Sequence, residues 1–141
     1  MSWKAPGSFL DIGSANLNLL KNIVNLGWQL TLVEPGPQAE QLSKSLQCVV
    51  HNRPFEECSF SVQFQAISMI DVLEHVHSPV VFLKKVSKIL SPNGVALLRL
   101  PNSRSIRCGL EREKWNMVRP LGHFCIIFRT GRFERPVRLL S

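Results

Sequence analysis

The chain has 141 residues, 45% of them apolar and 19% charged, with a net charge of +7. That is the composition of one globular domain with enough length to bury a core, and it excludes a disordered or fibrous chain. No apolar run approaches the roughly 18 residues of a membrane helix. Lys4 is followed by Asp11 before any long apolar stretch, which argues against a secretory signal. Cys48, Cys58, Cys108 and Cys125 form no C-x-x-C pair, so the thiols read as reduced and the protein as cytoplasmic.

In chain order, Ser8–Ile12 reads as a short buried strand. Asn16 can cap a helix that runs to Gly27, with Leu19, Leu20, Ile23, Val24 and Leu26 at helical spacing and Gly27 placed to end it. Gln29–Val33 reads as a second strand, followed by Glu34 and the breaker Pro35-Gly36-Pro37. Residues 38–46 suit a helix with Ala39, Leu42 and Leu46 inward, 47–50 a short third strand, and 51–64 a loop. Residues 66–70 form a fourth apolar run. Ser78-Pro79 is a helix start, Ser as N-cap and Pro in the first turn. The helix that follows should bury Phe82, Leu83, Val86, Ile89 and Leu90 and expose Lys84, Lys85 and Lys88. Ser91-Pro92-Asn93-Gly94 signals a turn, and 95–100 a fifth strand closed by Pro101-Asn102. Beyond Asn102 the periodicity weakens.

Strands that alternate with helices and are apolar almost throughout predict an α/β fold: a doubly wound, mostly parallel sheet with helices on both faces. Ligands of such sheets sit beyond the carboxyl ends of the strands, where strand order reverses. The expected crevice is therefore lined by residues near Gly13, Glu34 and Asp71.

Charge is unevenly distributed. Through residue 98 basic and acidic side chains balance. Beyond it stand Arg99, Arg104, Arg107, Arg112, Lys114, Arg119, Arg129, Arg132, Arg135 and Arg138 against Glu111, Glu113 and Glu134. The expected division is a core over 1–102 and a basic segment over 103–141, on the substrate side or partly disordered. An Arg-rich third suits a phosphate, a nucleic acid or another anionic surface, or simply a solvated face or a poorly ordered tail.

Five segments in order resemble the class I S-adenosylmethionine-dependent methyltransferases, particularly the group that includes quinone-biosynthesis O-methyltransferases. They are Leu10-Asp11-Ile12-Gly13, Val33-Glu34-Pro35, Asp71-Val72-Leu73-Glu74-His75-Val76, Leu90 to Val95 leading to Leu100-Pro101-Asn102, and Trp115 with Gly122-His123. The resemblance implies a Rossmann-like methyltransferase fold with S-adenosylmethionine as cofactor. Asp11, Gly13, Ser14 and Ala15 would hold its methionine end, where a helix start offers unpaired N–H groups. Glu34 would accept from the ribose hydroxyls. Asp71 and Val72 would contact the cofactor, Asp71 beside the transferred methyl group as a second catalytic candidate, and His123 would be the general base that takes a proton from the acceptor. In quinone O-methyltransferases the segment matching Asp71, Glu74 and His75 is linked to a divalent cation. Here those residues read first as the start of a loop and helix, and no metal site is assigned.

The sequence departs from the family at several points. Ala15 and Leu17 stand where the Gly-x-Gly-x-Gly loop has its later glycines, and a left-handed backbone at Leu17 would cost about 1–2 kcal/mol. Gln65 replaces the Asp common before the fourth strand. The helices that precede the first strand in the family are expected to be missing and the C-terminal strands truncated, with space after His123 for one strand and a tail. A sheet edge left open after the fifth strand would favour homo- or hetero-oligomers. The leading expectation is a cytoplasmic methyltransferase of a small-molecule acceptor, by O- or N-methylation, without membrane association. The alternatives are a catalytically impaired binding or remnant protein and, with less support, a nucleic-acid methyltransferase. The last lacks both an Asn/Asp-Pro-Pro-aromatic segment and a Pro-Cys nucleophile.

Overall fold

The structure, a computed structural model, describes residues 6–13, 16–101, 123–129 and 132–133. Pro101 and the last two segments are described by their backbone alone. The elements are β1 (Ser8–Ile12), α1 (Leu17–Asn25), β2 (Gln29–Val33), α2 (Ala39–Leu46), β3 (Val49–His51), β4 (Phe64–Ile70), α3 (Pro79–Ile89), β5 (Leu90–Pro101), β6 (His123–Arg129) and β7 (Arg132–Phe133). Two 3-10 turns, Phe55–Glu57 and Leu73–His75, flank β4.

One sheet holds all seven strands in the order β3-β2-β1-β4-β5-β6-β7. Neighbours among β1 to β5 are parallel, while β6 runs antiparallel to β5 and β7 antiparallel to β6. The far edge of β5, expected to be open, is covered by β6 over seven residue pairs from Val95↔Arg129 to Pro101↔His123. The strand expected after His123 starts at His123 itself.

Alternation along the strands sorts the core into two layers. Leu10, Ile12, Ile67, Met69, Ala96 and Leu98 face one way and pack with Phe82 and Val86 of α3 and with Phe55 and Phe64. Leu30 and Leu32 face the other way and pack with Leu20 and Ile23 of α1 and Leu42 and Leu46 of α2. Helices thus cover both faces, as a near-continuously apolar parallel sheet requires.

Local chemistry sets the boundaries. The Asn16 side chain accepts from the Leu19 N–H at 3.1 Å and caps α1. Gly27, at φ +88°, follows the helix and takes the left-handed position. Ser78 occupies the N-cap of α3, but its side chain makes no cap bond; its carbonyl accepts from Phe82 N–H at 3.0 Å, and Pro79 supplies the pre-set first turn. α2 ends on Gln47 at φ +49°, so β3 begins at Val49 rather than at 47. β4 begins at Phe64, which is 1% exposed and belongs to the core rather than to a loop. The 91–94 turn lies within β5: Phe64 pairs with Leu90 and Ala66 with Val95, so 91–94 bulge opposite Gln65, with Asn93 at φ +61°.

Lys85 is not on the solvated face of α3. It is half-buried, and its Nζ donates to the carbonyls of Phe55 (2.7 Å), Glu56 (2.8 Å) and Cys58 (2.6 Å) while lying 4.9 Å from the Phe55 ring centroid. One ammonium thereby satisfies three carbonyls at the end of a 3-10 turn. Lys85→Met is expected to lower stability by about 1–3 kcal/mol, measured by chemical denaturation.

Burial pushes the thiols of Cys48 and Cys58 above their ordinary value of 9.0; around Cys58 the charges of Lys85 and Arg53 act in the opposite direction. The folded chain therefore holds these protons to higher pH than the unfolded chain. Their contribution is intact below about pH 9 and is lost as pH rises beyond it. The melting temperature should fall as the pH rises past about 9, and the fall should be shallower in the C48A/C58A double variant.

Candidate functional site

β1 lies between β2 and β4, which come from different halves of the core, and this is where strand order reverses. The connections from β1 and β4 leave in opposite directions there, opening a crevice at the carboxyl ends. Gly13 stands at its centre. Its φ is +75°, and its N–H donates to Val33 O at 2.9 Å, so the chain turns sharply while still pinned to β2. A Cβ built on Gly13 would lie 2.5 Å from Val72 Cγ2. Conformation and space both call for glycine.

Glu34 follows β2 and is 5% exposed. Its N–H donates to His51 O at 3.1 Å, and its Oε1 accepts from Gly36 N–H at 2.7 Å. Pro35-Gly36-Pro37 is thus more than a breaker, because the Gly36 N–H orients the carboxylate. A Cβ at Gly36 would stand 2.7 Å from that oxygen.

Asp11 is 5% exposed within β1 and accepts a hydrogen bond from the Ser68 hydroxyl of β4, its register partner. Its carboxylate tethers two strands beneath the crevice. Asp71 follows β4 in the left-handed conformation, at φ +55°. Its N–H donates to Arg99 O at 3.0 Å, and its carboxylate accepts from the Arg99 guanidinium through Nη2 and, at 3.3 Å, Nε. Val72 follows, packs against the core and stands over Gly13.

Leu17 opens α1 with helical backbone and packs against Leu20 and Ile23, so it carries none of the left-handed strain expected there. Ser14 and Ala15 lie outside the described residues, as do Trp115 and Gly122. The backbone of His123 starts β6 opposite Pro101, at the end of the sheet where the other candidates gather. Its side chain is outside the described part. Glu74 and His75 are exposed on the 3-10 turn after Val72. Among the described residues no three His, Cys, Asp or Glu side chains are grouped to hold a metal ion.

The sequence reading missed Ser68, Gly36 and Arg99. Arg99 did leave a signal: a lone cation in the apolar run Val95-Ala96-Leu97-Leu98-Arg99-Leu100.

A model of the methyltransferase domain matches residues 2–132. The chain belongs to the methyltransferase domain family. It is 31% identical over 98 residues to the mitochondrial ubiquinone biosynthesis O-methyltransferase of Schizosaccharomyces pombe, across 63% of this chain and 36% of that protein. The plantazolicin methyltransferase BpumL, solved with SAH and a desmethylPZN analog, superposes with a TM-score of 0.67 at 20% identity. That match covers 80% of this chain and 46% of BpumL. The N-methyltransferase NodS of Bradyrhizobium japonicum WM9, solved with S-adenosyl-L-homocysteine, gives a TM-score of 0.64 at 17% identity, covering 74% of this chain and 58% of NodS. These structures share the fold of this methyltransferase domain, which spans between about a third and three fifths of the length of the three proteins.

Gly13→Ala should cost about 1–2 kcal/mol for the left-handed backbone and about 1–3 kcal/mol for the overlap with Val72. Chemical denaturation of G13A against the native chain, and of G13A/V72A against V72A, separates the two. The second comparison should recover the overlap and leave the backbone cost in place.

Proposed function

We infer that this chain carries the cofactor crevice of an S-adenosylmethionine-dependent methyltransferase, acting on a small-molecule acceptor by O- or N-methylation. The observation that carries the reading is Gly13, left-handed and roofed by Val72 at the strand-order switch, with the buried Glu34 carboxylate on the adjoining strand. Both curated and structural relatives named above are methyltransferases, and two of the structures hold the demethylated cofactor.

The residues present fit such a cofactor. The turn at Gly13 brings backbone to the carboxyl end of the sheet at a position where a Cβ would meet Val72, and the first turn of α1 directs N–H groups toward the same end, suited to a carboxylate. Glu34 is held by Gly36 through one oxygen; among the described residues the other has no hydrogen-bond partner, and it can accept from a ribose diol. When bound, the cofactor supplies an electrophilic methyl group on a sulfonium. The protein aligns the acceptor in line with that group and removes its proton. We assign the proton to His123, whose strand places it beside the end of β5. Asp71 has both oxygens committed to Arg99 and acts by position, holding the chain that carries Val72.

Among the described residues no helix is long and apolar enough to cross a membrane. The cytoplasmic assignment rests on the cysteine pattern. The basic 103–141 segment would lie on the acceptor side and favour an acceptor with negative charge. The remnant reading loses one of its motives, since Leu17 is an ordinary helical residue.

Calorimetric titration tests the proposal. S-adenosylmethionine and S-adenosylhomocysteine should each bind in the micromolar range, and Glu34→Ala should weaken both by about 10–100-fold. A folded chain that binds neither would overturn it. Leu17→Gly should give no gain in affinity and lower stability by about 1 kcal/mol.

A further inference from the structure

The link between Arg99 and the crevice is not part of the reaction chemistry. We propose that Arg99 is a positioning residue: its guanidinium holds Asp71 in the left-handed turn that lays Val72 over Gly13. The proposal rests on the crevice at Gly13 being the cofactor site.

Three observations converge. Arg99 stands on β5 opposite Ile70, the residue before Asp71. Its neighbours Ala96 and Leu98 alternate toward α3 and are each 1% exposed, so Arg99 lies with Val95 and Leu97 on the other face. From there it meets Asp71 twice. Its backbone carbonyl accepts the Asp71 N–H, and its guanidinium forks onto both carboxylate oxygens. A planar fork fixes direction as well as distance, which a lysine ammonium cannot do.

What is held is a backbone state that an L-residue avoids. Asp71 is at φ +55°, a region that Asp and Asn enter more readily than other side chains but still at a cost. The chain then continues through Val72 at φ −113°, ψ −45° into the Leu73–His75 turn, where His75 N–H donates to Val72 O at 2.9 Å. Val72 Cγ2 therefore occupies the space above Gly13 because Asp71 turns left-handed, and Asp71 stays there because Arg99 clamps it. Both partners are about one third exposed, 38% for Arg99 and 36% for Asp71. An ion pair at that exposure adds little to global stability. Its effect should be local.

The test is a double-mutant cycle between Arg99→Met and Asp71→Gly, because glycine adopts positive φ without a clamp. Two readouts are taken on the whole chain. The first is amide hydrogen exchange at Asp71, Val72 and Leu73, with Ala96 and Leu98 as core controls. R99M should speed exchange at 71–73 by about tenfold and leave the core amides protected. In the D71G background R99M should add no further change. The second is S-adenosylhomocysteine affinity, which R99M should weaken by about tenfold in the native background and R99K by less, again with no further loss from R99M when residue 71 is glycine. Unchanged exchange at 71–73 in R99M, or an equal effect of R99M in both backgrounds, overturns the proposal. A native chain that fails to bind S-adenosylhomocysteine overturns the functional reading instead, and the exchange cycle still decides whether the clamp exists.

Discussion

Everything at the carboxyl end of the sheet depends on the chain leaving β1 between two strands that turn away from each other. β1 is flanked by β2 on one side and β4 on the other. Its exit must be tight enough to keep the Gly13 N–H on Val33 and bare enough to let Val72 close over it. One residue type meets both conditions. The crevice is therefore built from backbone, and side chains such as Glu34 and Asp71 are arranged around it.

The same economy governs the buried polar groups. Asp11 and Ser68 face each other across the β1–β4 register and are both buried. A carboxylate at that depth requires a donor, and the neighbouring strand supplies one. Lys85 answers the converse problem. The turn after Pro54 leaves carbonyls pointing one way, and a single ammonium from α3 collects three of them. The cost of burying part of that charge is offset by replacing water with oxygen ligands of similar strength. The long connection between β3 and β4 is thereby fastened to α3, and Phe55 stays in the core.

Much of this was legible in the chain because its cause is local. β1 and β2 have the limits that their apolar runs give, and α1 begins where Asn16 can cap it. Gly13 and Glu34 could be placed at strand ends because the runs stop there. The misplacements have non-local causes. β3 starts late because Gln47 takes the left-handed position that ends α2, and β4 starts early because Phe64 is drawn into the α3 layer. The turn signal at 91–94 was correct as chemistry, yet the chain resumes pairing on the same neighbour, so the turn becomes a bulge inside β5. Lys85 reads as a solvated helical lysine until the 55–58 carbonyls are known to face it. Arg99 and Ser68 have roles that exist only once β4 is in register with its two neighbours.

That register also bears on how acid–base work divides at the site. A carboxylate at the end of β4 reads, in sequence, as a catalytic candidate beside the transferred methyl group. In the folded chain its two oxygens meet a guanidinium, and its N–H meets the carbonyl of the same arginine. A group so engaged has both oxygens committed to charge-assisted bonds. It is well suited to fixing a turn. Under the proposed function, proton removal is assigned to a residue reached from the antiparallel side of the sheet, where β6 begins opposite the last residue of β5. Cofactor and acceptor would thus be served by different parts of the chain: a crevice assembled from β1, β2 and β4, and an acceptor side that starts where the parallel order ends.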